Sequence, residues 1–122
     1  MNTLADVWKT AAARNLEGLP LTEDARDLAQ ATYYTGVKVA SDPDRVNSEV
    51  WATMEQQFLD ADVAPYFVTN TLQALFTQGV AAFHLLLRQA PEGEEREQKF
   101  YDLAFEADRF LVEYQQRHST EH

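Results

Sequence analysis

Residues 65–87 read PYFVTNTLQALFTQGVAAFHLLL and contain no Asp, Glu, Lys or Arg, in a chain whose formal net charge is −10. A charge-free stretch of that length can span a membrane, fill a core or meet a partner. At about 100° per residue, Val68, Leu72, Leu75, Phe76, Gly79, Val80, Phe83, Leu86 and Leu87 fall on one arc. Asn70, Gln73, Thr77, His84 and Arg88 stack into a polar stripe on the opposite side, with Ala81 completing the row. A lipid-facing helix has no reason to carry so many amides and hydroxyls, and no aromatic or basic anchor flanks both ends. The stretch therefore predicts an amphipathic helix over 65–90, roughly 39 Å long, at the centre of a helical bundle. No membrane association is expected. Uncharged polar residues suit a surface that is partly covered, where a formal charge would be costly but hydrogen bonds can be met. The expected cover is another helix of the same chain; a second subunit or a ligand would serve equally.

Working outward, Gly and Pro divide the rest of the chain. Gly18 and Pro20 close one segment, Pro43 and Pro65 open two more, and Pro91 with Gly93 separates the last. Proline is tolerated at a helix's first position and not in its interior, so these are boundaries. Thr22 and Asp42 are natural N-caps, with Pro43 as first helical residue. Apolar periodicity agrees and predicts helices over 3–16, 23–40, 43–61, 65–90 and 94–118. No stretch alternates with period two for long enough to make a strand. The fold class is all-α: a bundle of about five helices in a single domain over 1–122, ending in a frayed tail at 119–122. Helix 23–40 gathers Ala25, Leu28, Ala29, Thr32, Gly36, Val39 and Ala40 on one side, a face of mainly small residues that lets a neighbouring helix approach closely.

Helix 94–118 carries two apolar faces. Phe100, Leu103, Ala104, Ala107, Phe110, Leu111 and Tyr114 form the main one. Tyr101, Phe105 and Val112 form a second seam, with Asp108 in the same row. Two seams mean two contacts, and large apolar patches are uncommon on the surface of a monomer. Tyr101, Phe105 and Val112 are accordingly candidate interface residues. Tyr34 joins them, because it projects from the polar side of helix 23–40 beside Asp27 and Lys38 and tyrosine is favoured at interfaces.

Charge narrows the function classes. Twenty acidic against ten basic residues argue against a phosphate-binding surface, so no direct nucleic-acid binding is expected. The excess lies in residues 41–62 (six acids, one Arg) and 91–122 (nine acids, four bases), each of net charge −5. Absence of cysteine excludes disulfides, thiolate metal sites and Cys nucleophiles. The opening MNTLADVWKTAAARN has no secretory pattern, which makes the cytoplasm the expected location.

Motifs for chemistry are wanting. His118 and His122 have a metal-compatible spacing, but they sit at a chain end where helices fray. Glu-x-x-His does not occur, and the carboxylates of helices three and five fall off their apolar faces, against a carboxylate-bridged metal centre. Four scattered glycines make no phosphate loop, and Asp42, Asp44 and Glu49 lack the spacing of a calcium loop. No metal site, cofactor or catalytic residue is assigned.

The expectation is a non-enzymatic acidic interaction module, such as an adaptor, small regulatory subunit or immunity-type inhibitor. It is expected to form a homodimer through helices four and five and to meet a protein partner, for which a basic surface is the electrostatic complement. One alternative is an acidic decoy that imitates nucleic acid to occupy a DNA-binding protein; the row Asp102, Glu106, Arg109, Glu113 suits that idea except for its arginine. Another class altogether is a small-molecule or enzymatic bundle with a pocket at Asn70, Gln73, Thr77, His84 and Arg88.

Overall fold

The structure is a computed structural model that describes residues 3–119. It is an all-α bundle, and no strand occurs among the described residues. Helix α1 spans Leu4–Asn15, α2 Glu23–Ala40 and α3 Asn47–Asp60. Helix α4 is one rod in three consecutive parts: Pro65–Phe67, a π-helical turn Val68–Leu72, and Gln73–Gln89. Helix α5 is Glu94–Ser119. No helix among the described residues is long and apolar enough to cross a membrane.

Local chemistry sets most of these ends. Thr3 and Thr22 cap α1 and α2, each accepting from the backbone N–H three residues on at 3.1 Å. Pro65 opens α4 where no amide hydrogen is needed. Glu94, Glu95 and Glu97 occupy the first turn of α5, where the helix dipole favours negative charge. Arg96 holds the preceding loop in place, donating to the Ala90 carbonyl from Nε at 3.0 Å and Nη2 at 2.8 Å.

One start differs from the sequence reading. Helix α3 begins at Asn47, not at Pro43, and Asp42 is not its cap. The Asp42 carboxylate instead accepts from the Asp44 amide at 3.0 Å and pairs with Arg45 Nε at 3.2 Å, closing a tight turn around Pro43. Val46 is extended, so the helix begins after it without a side-chain cap. Val46 is consequently exposed.

The bundle is built around the pairing of α2 with α4. Helix α4 touches every other helix: α2 along its length, α1, α5, and α3 through the π turn. Its predicted arc is the buried one, with Val68, Leu72, Leu75, Phe76, Gly79, Phe83 and Leu86 all in the core. Helix α2 lies against it so closely that a β-carbon on Gly36 would run into the Phe76 carbonyl oxygen. Helix α5 packs on the other flank of α2, where Tyr34 and Phe110 stack with ring centres 4.1 Å apart. Helix α1 is tied in by the Tyr33 hydroxyl, which donates to the Leu4 carbonyl at 2.9 Å.

Helix α3 is the least embedded. Trp51 is its one buried side chain, packed against Phe76 of α4 and Phe58 of its own helix. Val50, Met54 and Phe58 are only half-buried, because α3 leans on α2 and the π turn and leaves its remaining flank open.

Candidate functional site

The outward face of α5 carries the least expected chemistry for a water-facing surface. Tyr101 is 60% exposed, Phe105 68% and Val112 45%, at positions that share one row of the helix. Their neighbours Leu103, Ala107 and Phe110 turn inward, so the two faces expected of this helix both exist: one fills the core and the other meets solvent. Asp102, Glu106, Arg109 and Glu113 flank the row on one side, and Arg109 Nε pairs with Glu113 at 3.2 Å. Asp108, within the row itself, takes an ion pair of 2.5 Å from Lys38 of α2.

Tyr34 does not belong to that surface. It is 4% exposed, wedged between Tyr33 and Phe110. Helix α2 is covered on several sides by α1, α4 and α5, so the side that a two-sided helix would leave polar is enclosed as well. Burial, reinforced by the nearby Glu106 carboxylate, pushes the Tyr34 phenol up to about 12. Burial raises the Tyr33 phenol too, aided by Tyr34 and Glu106. Glu106 itself is raised above its ordinary 4.5, chiefly through partial desolvation and with Lys99 opposing. Its side chain reaches solvent, so the desolvation is modest.

Beside the exposed row opens a cleft that the sequence did not announce. It measures about 720 Å³ and lies between α2, α3 and α5. Val39, Val50, Met54 and Leu111 give it apolar walls, and Lys38, Asp42, Arg45 and Glu49 stand on its rim. A smaller pocket of about 180 Å³ shares Thr35, Met54, Leu111 and Gln115 with it and carries the depression on toward Phe58 and Tyr114. The signals were present in part: Val50, Met54 and Phe58 recur at helical spacing on one side of α3. Periodicity says which way a side chain points and not whether a neighbour arrives to cover it.

The polar stripe of α4 lies open. Asn70, Gln73, Thr77, Ala81, His84 and Arg88 are all exposed along one side of the rod, so no helix among the described residues covers them. Two of them are served by their own backbone: Asn70 donates to the Tyr66 carbonyl at 3.1 Å and Thr77 to that of Gln73 at 3.0 Å. His84 meets the Phe83 ring edge-on at 5.5 Å. The main cleft lies elsewhere.

Among the described residues no three His, Asp or Glu side chains converge as metal ligands. His118 closes to 3.8 Å from Asp27, while His122 lies outside the described residues. Comparison with family models, curated proteins and solved structures found no match to this chain.

Proposed function

We propose that the protein is a non-enzymatic, acidic α-helical interaction module that works by docking the outer face of α5 against another protein surface. The observation that supports this is the row Tyr101, Phe105 and Val112, two large aromatic rings and a valine held in water on a rigid helix. Aromatic side chains in such a row supply apolar area at low entropic cost and are the residues that dominate interface energies. The carboxylates beside the row set register and steer association. Adaptor, small regulatory subunit and immunity-type inhibitor in the cytoplasm all use this physics, and a homodimer is the first assembly to look for.

Native mass spectrometry on protein taken gently from its own cells tests the reading. A species at twice 13.9 kDa, or a complex with one further protein, supports it. A bare monomer carrying a small-molecule adduct contradicts it.

A decoy for a DNA-binding protein is the second reading, favoured by the outward carboxylates Asp102, Glu106 and Glu113 on α5. Arg109 interrupts their row and neutralises Glu113, which spaces the charge unlike a phosphate backbone. The decoy requires binding that weakens steeply with added salt; salt-indifferent binding sinks it.

A further inference from the structure

The two segments that hold the chain's excess charge meet at one face. Residues 41–62 and 91–122 stand at −5 each, which together make up the whole −10. The exposed row of α5 lies in the second, and the cleft beside it is walled by the first through Asp42, Glu49 and Val50. We infer that this face takes a basic amphipathic helix of another protein, with apolar residues on the row and Lys or Arg along its edges. This rests on the α5 row being a docking face, as proposed above, and adds the chemistry of the occupant.

The spacing of the row selects a helix. Tyr101, Phe105, Asp108 and Val112 are all exposed and follow one another at steps of four, three and four. Gln98 and Gln115, exposed as well, extend the row by three residues at each end. Alternating steps of three and four make the seam along which two helices pack side by side. A strand repeats every second residue and does not match it. From Gln98 to Gln115 the seam runs about 26 Å, five turns of a partner helix.

Charge selects a basic one. Residues 94–113 of α5 carry seven acids against three bases, a net −4. The cations beside the row are already engaged: Lys38 with Asp108, Arg45 with Asp42, and Arg109 with Glu113. Lys99 acts on Glu106, and Asp102 takes the Gln98 amide at 2.9 Å rather than a cation. A second copy presents the same acids and is repelled, as is any phosphate-bearing surface. A basic helix is the complement.

Asp108 sets the register. A carboxylate inside an apolar seam loses solvation when the seam is covered. Lys38 meets its Oδ1 in an exposed ion pair, and such pairs are weak and exchange partners at little cost. A Lys or Arg of the partner facing Asp108 offsets the loss, and one polar position in a seam is enough to fix alignment.

Fluorescence anisotropy with synthetic helices of about five turns tests this on the full chain. One probe carries Leu along its apolar row and Lys on both edges. A second keeps the Leu and exchanges Lys for Glu, and a third scrambles the first out of helical phase. The Leu–Lys probe should bind at least tenfold more tightly than either of the others. Phe105→Ser should weaken that binding at least tenfold, and Asp102→Asn with Glu106→Gln severalfold. Leu85→Ser, at an exposed position of α4, should leave it unchanged. Circular dichroism shows that each variant is folded. Equal binding of the Leu–Lys and scrambled probes, or binding indifferent to Phe105→Ser, would overturn the inference, because charge would then attract without a site. Tight binding of the Leu–Glu probe, or a chain that dimerises through Phe105, would overturn the basic partner and leave the α5 docking face intact. Binding of none of the probes would overturn the helical partner, and the docking face would then be decided by whether Phe105 is protected from labelling in its own cells.

Discussion

Gly36 and Gly79 sit back to back where α2 meets α4: a β-carbon on Gly36 would lie 3.2 Å from the Gly79 Cα, and one on Gly79 would strike the Tyr33 carbonyl oxygen. Backbone against backbone is the closest contact in the bundle's central pair, and neither helix has a flexible side chain there to yield. Glycine normally costs about 1 kcal/mol relative to alanine inside a helix. Here the sign reverses, because overpacking of about 3 kcal/mol outweighs that gain. Gly36→Ala and Gly79→Ala are each expected to destabilise the protein by about 2 kcal/mol or more, read as a lower urea midpoint at unchanged slope. A gain in stability from either would show that α2 and α4 do not pack this closely.

Trp51 is the sole buried anchor of α3, and its indole N–H is buried with no hydrogen-bond partner among the described residues. Removing the ring, as in Trp51→Ala, should cost about 3–5 kcal/mol. The loss should be local first, with amide exchange rising across α3 before α2 and α4. Trp51→Phe should cost much less, because it keeps an aromatic body between Phe58 and Phe76 and deletes an unpaired donor worth about 1–3 kcal/mol of desolvation. Equal costs for the two variants would mean that the indole N–H finds a partner.

Alkaline pH should unfold the bundle through its centre. The Tyr34 phenol is raised to about 12 from 10.0, and Tyr33 is raised also. A raised folded value means stability that is fully present below pH 10 and lost as pH climbs toward 12, at up to about 1.4 kcal/mol per unit from Tyr34. The ultraviolet absorbance of ionising Tyr34 should therefore rise together with loss of helix. Tyr34→Phe should soften the alkaline transition; an unchanged profile would contradict the burial of this ring.

Glu106 shows the same sign at acid pH. Its carboxyl is raised above 4.5, so the folded state prefers the proton, and that preference is lost as pH rises through the folded value. Glu106→Gln should be slightly more stable than the unaltered chain at neutral pH. The difference should vanish on acidification below 4.5, as followed by thermal melts at matched salt.

Helix existence and the buried arc of α4 were legible because proline, glycine and a 3.6-residue period act locally. The small face of α2 also gave away its close approach, through Gly36. What the sequence hid came from tertiary setting. Tyr34 lies on the side of α2 that a two-faced helix leaves wet, yet α5 arrives there and Phe110 stacks on it. Asp42 looked like a cap, but an aspartate three residues before a cation can close a turn instead, and it bonds Asp44 and Arg45. The π turn at Val68–Leu72 inserts no signature residue. The seam of α5 was visible as a second apolar row, whereas the cleft beside it depends on how far α3 leans, which no periodicity records.

The central claim is that Tyr101, Phe105 and Val112 are a face that another protein surface covers. Hydroxyl-radical footprinting of the unaltered chain, at high dilution and again at the concentration and company found in its own cells, tests it most directly. Labelling of Tyr101 and Phe105 should fall severalfold in the second condition while exposed Tyr66, on α4, stays constant. Equal labelling of Phe105 in both conditions would contradict the account.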